Sequence, residues 1–297
     1  MDGFWLIDKE RGWTSFDVCA KLRKILNVKK IGHTGTLDPF ATGLLLVATG
    51  KCTKLIPFLE KERKTYRTTI LLGQTSSTLD TESEVTKDET FLKKFGSQIP
   101  GSGMPLNPGS KETLREFIEQ NLCSIFQGKI QQVPPQFSAI KIAGKKSCDI
   151  ARKGGTVELK PRETEILSSK ILSYEFPRVE IELEVAAGFY VRAFARDLAQ
   201  SLGTVGMCES LRRIKIGDLS VEDAHTLDKV SMPIDPKYIL KNLDQREIPT
   251  GRVQDFIEGR AFDMAGVGGD KILVLVGGNT LGVGEIVHGK LQPRIVL

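Results

Sequence analysis

The chain has 297 residues, 40% hydrophobic and 27% charged, enough to bury the core of one large domain plus a small one. Its net charge of +5 is too mild to name a partner. No apolar run reaches the length of a membrane span, and no basic segment followed by a long apolar one opens the chain, so a cytoplasmic protein is expected. Five cysteines without CxxC spacing and three scattered histidines, His33, His225 and His288, predict reduced thiols, no disulfide framework and no metal site.

From the start, Phe4 to Ile7 reads as a strand, and Thr14 with Asp17 three residues on resembles a capping box. Phe16, Cys19, Leu22, Ile25 and Leu26 recur at helical spacing, with Asn27 as the stop. The next segment, GHTGTLDPFATGLL from Gly32 to Leu45, sets the carboxylate of Asp38 on a loop leading into an apolar strand, Leu44 to Val47. Gly32, Gly35 and Gly43 permit positive φ, and Pro39 pins the turn. Asp-Pro is also a common turn dipeptide, so the loop alone leaves a connecting turn and a catalytic carboxylate both open. It has neither the ending of a P-loop nor a GxGxxG pattern, which disfavours nucleotide binding.

Lys51, Lys54, Lys61, Arg63, Lys64 and Arg67 form a basic cluster after this loop. Lys141, Lys145, Lys146, Arg152 and Lys153 form a second, and Arg212 with Arg213 a third candidate. Such clusters read as solvated faces or as a polyanion surface. Thr65 to Leu72 is a β-branched strand carrying Tyr66 and ending at Gly73. Residues from about 81 to 111 turn polar and rich in Gly, Pro and Ser, the pattern of a mobile surface insertion without a site.

Leu114, Phe117, Ile118, Leu122, Ile125 and Phe126 form a helical stripe ending at Gly128. Val179, Ile181, Leu183 and Val185 alternate with Glu180, Glu182 and Glu184, a half-buried strand with an acidic outer face that turns at Gly188. A helix follows from about Tyr190 to Leu202, with Arg192 in its first turn, where a guanidinium either projects over a cleft or reaches solvent. Beyond about Gln245 short alternating segments, KILVLV, LGVGEIV and RIVL, make a small β module that must pack on the main body or be very regular to be stable.

LIDK (Leu6 to Lys9), GHTGTLDPFATGLLL, KTYR (Lys64 to Arg67), VPPQFSAIK with GKK (Val133 to Lys146), GFYVRAFARDLA (Gly188 to Ala199) and SLRRI (Ser210 to Ile214) occur in the order seen in one family. Through them nearly the whole chain resembles the bacterial TruB-type tRNA pseudouridine synthases. Glu10 stands where that family usually has proline, and Cys148 where an aromatic residue is common.

The resemblance implies an α/β fold with a mixed, largely antiparallel sheet, flanking helices and a central cleft. It places a catalytic domain over residues 1–244 and a PUA-like, barrel-like RNA-binding domain over 245–297. The implied reaction is isomerisation of the T-loop uridine of tRNA, position 55, to pseudouridine without cofactor or metal, after the base is flipped out. Asp38 is then the nucleophile, with attack at C1′ and at C6 both open, and Arg192 its ion-pair partner. Tyr66 stacks on the base and takes part in proton transfer, His33 occupies or contacts the vacated space, and Tyr190 and Leu211 line the uracil pocket. Lys9 supports the pocket or contacts a phosphate. The expected partner is the T-arm of tRNA, and the expected state a monomer. Two rivals are an RNA-binding, tRNA-folding protein with secondary or no catalysis and a carboxylate-dependent enzyme that releases the base; a guide-RNA-dependent relative is a third, narrower one.

Overall fold

The computed structural model describes residues 2–96, 111–142, 144–230, 232–265 and 271–297, except the side chains of 94–96 and 111–113. The chain divides into two compact units: residues 1–39, 43–61 and 219–297 form the first, and 40–42 with 62–218 the second.

The first unit opens with strand β1 (Gly3–Lys9), helix α1 (Ser15–Ile25) and strands β2 (Ile31–Thr34) and β3 (Thr42–Thr49). Both β1 and β2 pair antiparallel with β3, whose residues from Gly43 to Thr49 are buried because this strand is apolar on both faces. The predicted capping box forms: Asp17 N–H donates to the Thr14 hydroxyl oxygen and Thr14 N–H to the Asp17 carboxylate, each at 3.0 Å. Val18, Cys19 and Leu22 face Trp5, Ile7, Leu45 and Val47. Phe16 and Ile25 lie outside this core, 69% and 45% exposed. The cap sets where the helix starts, and the stripe 15, 18, 19, 22, 26 then faces the sheet, leaving 16 and 25 on its flanks.

The second unit holds strands β4 (Lys64–Leu72), β5 (Gln74–Ser76) and β6 (Val85–Lys87), helices α2 (Glu89–Gly96) and α3 (Lys111–Ser124), strands β7 (Gly128–Gln132), β8 (Lys141–Ile142) and β9 (Lys145–Lys146), and helix α4 (Ser147–Ala151). It continues with β10 (Arg162–Glu175), β11 (Arg178–Val185), α5 (Val191–Ser201) and β12 (Gly206–Ile216). Its strands run in the order β12, β4, β11, β10, β7, all antiparallel. Val179, Ile181, Leu183 and Val185 of β11 are buried, as their alternation predicts. The glutamates between them pair outward: Glu182 with Arg67 at 2.9 Å and Glu184 with Arg63 at 3.1 Å. Helix α5 packs on β12 and β4, and its Phe194 meets Phe126, just after α3, edge-on at 5.4 Å. Part of the segment 81–111 forms elements, β6 and α2, where an irregular insertion is expected; residues 97–110 lie outside the described residues.

The chain returns to the first unit with β13 (Leu219–Ser220), α6 (Pro236–Ile239), β14 (Asp244–Glu247), α7 (Val253–Ile257), β15 (Phe262–Asp263), β16 (Lys271–Val276), β17 (Asn279–Val287) and β18 (Lys290–Val296). The sheet order is β14, β16, β17, β18, β15, antiparallel except between β14 and β16. Phe256, Phe262, Ile272, Val274, Ile286 and Leu291 form its core. So small a core needs support, and ties to the rest of the unit supply it. Lys54 donates to the Val296 carbonyl at 3.2 Å, Lys271 lies over the Phe58 ring at 5.2 Å, and the Asp235 carboxylate accepts from the Thr280 hydroxyl.

Gly206 shows how closely α5 sits on its sheet. A Cβ at this position would stand 2.4 Å from the Ala199 Cβ and 2.8 Å from the Ala195 carbonyl oxygen. Gly206→Ala is expected to destabilise the protein by about 1–3 kcal/mol through overpacking, read as a lower urea midpoint at unchanged slope.

Candidate active site

Asp38 is half-buried on a loop held on both sides. On one side Leu37 N–H donates to the Ser15 hydroxyl oxygen at 2.9 Å, and that hydroxyl donates to the Leu37 carbonyl at 3.2 Å. On the other the Pro39 carbonyl accepts from Gly12 N–H at 2.8 Å and from the Lys9 ammonium at 3.3 Å. Gly35 and Gly43 take positive φ, 72° and 99°. Gly32 serves a different need: a Cβ there would lie 2.8 Å from Ile56 Cδ1.

Lys9 is 1% exposed, and its ammonium also donates to the carbonyls of Trp13 at 2.7 Å and Glu10 at 3.0 Å. Three carbonyls solvate the buried charge, and the lysine ties β1 to the Asp38 loop. His33 sits half-buried on β2, opposite Val47 of β3. Lys9, His33 and Asp38 all belong to the first unit.

Tyr66, Tyr190, Arg192 and Leu211 belong to the second unit. Tyr66 lies opposite Leu183 on one neighbouring strand and Arg213 on the other, while Leu211 lies opposite Thr68. The two-residue period therefore puts Tyr66, Thr68, Leu211 and Arg213 on one face of the sheet, and all four are buried. Tyr190 is the N-cap residue of α5, just after the left-handed Gly188.

Arg192 is 5% exposed, so its guanidinium does not reach solvent. It lies 3.4 Å from the Asp80 carboxylate, itself 2% exposed, and donates to the carbonyls of Thr78 at 2.7 Å and Phe137 at 2.9 Å. The other Asp80 carboxylate oxygen accepts from the Thr78 hydroxyl and from Glu82 N–H at 2.9 Å. Leu79 between them holds φ 60°, a strained conformation for a branched side chain and of a kind that gathers at functional sites. Asp80 is a functional candidate that sequence reading misses. The tripeptide Thr-Leu-Asp occurs at 36–38, 78–80 and 226–228, so no local pattern singles it out.

The basic clusters differ in their partners. In the first, Arg63 pairs with Glu184 and Asp218, Arg67 with Glu182, and Lys64 is buried, donating to the Glu62 carbonyl at 2.7 Å. In the third, Arg213 is buried, and Arg212 reaches the Thr42 hydroxyl at 3.5 Å. The second differs. Lys141, Lys145 and Lys146 are exposed on the β8–β9 hairpin, with Lys141 directly opposite Lys146, and none of the three forms an ion pair among the described residues. Like charges in a cross-strand pair are destabilising unless an anion joins them. The hairpin is nevertheless braced: Ser147 N–H donates to the Ile140 carbonyl at 2.8 Å, Cys148 N–H to the Ser138 carbonyl at 3.1 Å, and Gln136 exchanges two bonds with the backbone of Val157.

Among the described residues no group of three or more His, Cys, Asp and Glu is placed to hold a metal ion. Burial pushes the Cys19 thiol up to about 11 and that of Cys52 up to about 12, so both stay protonated and non-nucleophilic near neutrality.

Residues 23–99 and 107–191 match the TruB family pseudouridylate synthase (N terminal domain). The chain is 34% identical to tRNA pseudouridine synthase B of Aquifex aeolicus, with all of both chains covered. It is 33% identical to the protein of that name from Trichormus variabilis, over 100% of this chain and 98% of the relative. A protein in the structure of an H/ACA RNP bound to a substrate RNA containing 2′-deoxyuridine shares the fold, with a TM-score of 0.67 at 19% identity over 99% of this chain and 84% of that one.

Removing one member of a buried ion pair leaves the other charge uncompensated. Asp80→Ala is expected to cost about 3–5 kcal/mol of stability, measured by urea unfolding, because Arg192 keeps its burial and loses its counter-charge.

Proposed function

The chain belongs to the TruB family of pseudouridylate synthases, and from that membership we propose that it isomerises a uridine of tRNA to pseudouridine, the T-loop uridine at position 55. The C1′–N1 bond breaks and a C1′–C5 bond forms, while C5 loses a proton and N1 regains one, so the product is an isomer. A carboxylate can drive this without redox chemistry, by attack at C1′ or at C6 or by promoting loss of the base. The observation that carries Asp38 as the reacting group is the bracing of its loop by Ser15 on one side and by Lys9 and Gly12 on the other. A carboxylate held in one place spends no free energy on orientation when substrate arrives.

The target base is stacked inside the folded tRNA, and flipping it out costs roughly a few kcal/mol. Stacking on the Tyr66 ring offsets that cost, and Tyr66 is the candidate for proton transfer. Tyr190 and Leu211 contact the uracil, and His33 takes the place the base leaves. Arg192 is the charge partner of Asp38, its own position set by Asp80 and the carbonyls of Thr78 and Phe137. Lys9, with its ammonium among three backbone carbonyls, acts as a structural support.

The exposed lysines of the β8–β9 hairpin grip the phosphates of the T-arm. Residues 245–297 are a PUA-like RNA-binding domain that adds a second hold on the RNA, residues 1–244 being the catalytic domain. The protein works as a cytoplasmic monomer; among the described residues no helix is long and apolar enough to cross a membrane.

Asp38→Asn keeps the shape of the side chain and removes its charge. It is expected to abolish tritium release from uridine-labelled tRNA while leaving tRNA affinity within a few-fold of the unaltered protein; turnover by this variant would sink the assignment. Replacing Lys141, Lys145 and Lys146 together by Ala should weaken tRNA binding and flatten the dependence of log K on log salt by about 2 to 3. An unchanged slope would remove the hairpin from the RNA-binding surface.

A further inference from the structure

Gln132, the last residue of β7, is 2% exposed, so its carboxamide is taken out of water and has to be satisfied inside the protein. Both halves of it turn to one residue. The Gln132 side-chain N–H donates to the Tyr190 carbonyl at 3.1 Å, and Tyr190 N–H donates to the Gln132 side-chain oxygen at 2.9 Å. The side chain thus copies the two-bond pairing of a strand neighbour. The backbone of Gln132 is meanwhile registered against Arg162 of β10, so the clamp stands on the sheet.

The residue it holds is the N-cap of α5, which has no side-chain cap of its own. The Tyr190 carbonyl also accepts the first helical bond, from Phe194 N–H at 3.0 Å. Whatever fixes the Tyr190 peptide groups therefore fixes the direction in which the Tyr190 ring leaves the chain and the phase in which α5 begins, Arg192 included. Two further contacts run the opposite way, from α5 to the segment after Gln132: Arg192 to the Phe137 carbonyl and Arg196 to the Val133 carbonyl, both at 2.9 Å. Gln132 is the one of the three aimed at the N-cap of the helix.

We propose that Gln132 is a positioning residue of the reaction, acting through Tyr190. The proposal rests on the reading of this chain as a pseudouridine synthase in which Tyr190 contacts the uracil. A packing role needs only an apolar side chain of the same size at this point; a carboxamide with both ends on one backbone sets an orientation.

The test uses the full-length protein, single-turnover tritium release from uridine-labelled tRNA, tRNA binding by filter retention, and thermal unfolding. Gln132→Met keeps the volume and removes both bonds. It is expected to slow the single-turnover step by about 10- to 100-fold while tRNA affinity stays within about threefold. Tyr190→Ala should be slow as well, and adding Gln132→Met to it should cost less than about twofold more, since residues that act as a unit are not additive. A Gln132→Met rate equal to that of the unaltered protein, or losses that multiply in the double variant, would overturn the proposal. Full activity in Tyr190→Ala would overturn instead the reading of Tyr190 on which it rests.

Should Gln132→Met fold poorly, Gln132→Glu gives an independent readout. Its carboxylate still accepts from Tyr190 N–H but cannot donate to the Tyr190 carbonyl, and burial raises the pKa of such a group. Protonation restores the donor. The rate of Gln132→Glu relative to the unaltered protein should therefore climb as pH falls from about 8 to about 6, and a flat ratio would overturn the proposal.

Discussion

A peptide group withdrawn from water must find a partner, and in this protein the loops that carry the candidate chemistry find theirs in buried polar side chains. Regular strands and helices satisfy themselves, but the segments around Asp38, Asp80 and Tyr190 do not. Ser15 and Lys9 serve the first; Arg192 and Ser76, whose hydroxyl accepts from Asp80 N–H at 3.1 Å and donates to the Asp80 carbonyl at 2.6 Å, serve the second; and Gln132 serves the third. Each of these side chains is itself buried and would be costly to bury alone. Side chain and loop therefore stabilise one another, and the functional groups inherit the rigidity of the sheets beneath them.

The same accounting applies to charge. Of the basic residues, Arg63 and Arg67 pair with Glu184 and Glu182 on the outer face of β11, and Arg178 pairs with Glu209 of β12 at 2.7 Å; such exposed pairs contribute little stability and mainly keep the face soluble. Arg192 is held by a buried carboxylate and two carbonyls, which fixes its geometry. On the β8–β9 hairpin Lys141 and Lys146 lie opposite one another, and among the described residues neither forms an ion pair. A net charge of +5 hides this division of labour, since only lysines without internal partners are ready for a polyanion.

Features that rest on neighbours in the chain were legible before any coordinates. The Thr14 and Asp17 box is a three-residue relation, the alternation of β11 is a two-residue period, and the glycines at 35 and 43 answer a local demand of the backbone. The loop around Asp38 was legible as a presented turn because its glycines and its proline lie in one stretch of sequence, whereas the side chains that brace it, Ser15 and Lys9, stand 22 and 30 residues from their partners. The strand β10 was not, since its fourteen residues mix apolar and polar positions without a clean period and are held by β11 and β7 on either side. Arg192 was ambiguous for a related reason: its burial depends on Asp80, Thr78 and Phe137, all distant in sequence.

By itself, the sequence determined the family, the glycine-bearing loop that carries Asp38, the starts of α1 and α5 and the strands whose periods are clean, because each is written in contiguous residues. Only the tertiary structure decided which charges are free, which helix flank is left to solvent at Phe16 and Ile25, that Asp80 supports Arg192, and that Gln132 holds Tyr190. Those are outcomes of hydrogen bonding and desolvation between segments far apart in the chain. A single sequence carries no local mark of which polar side chain will be called on to satisfy a distant backbone.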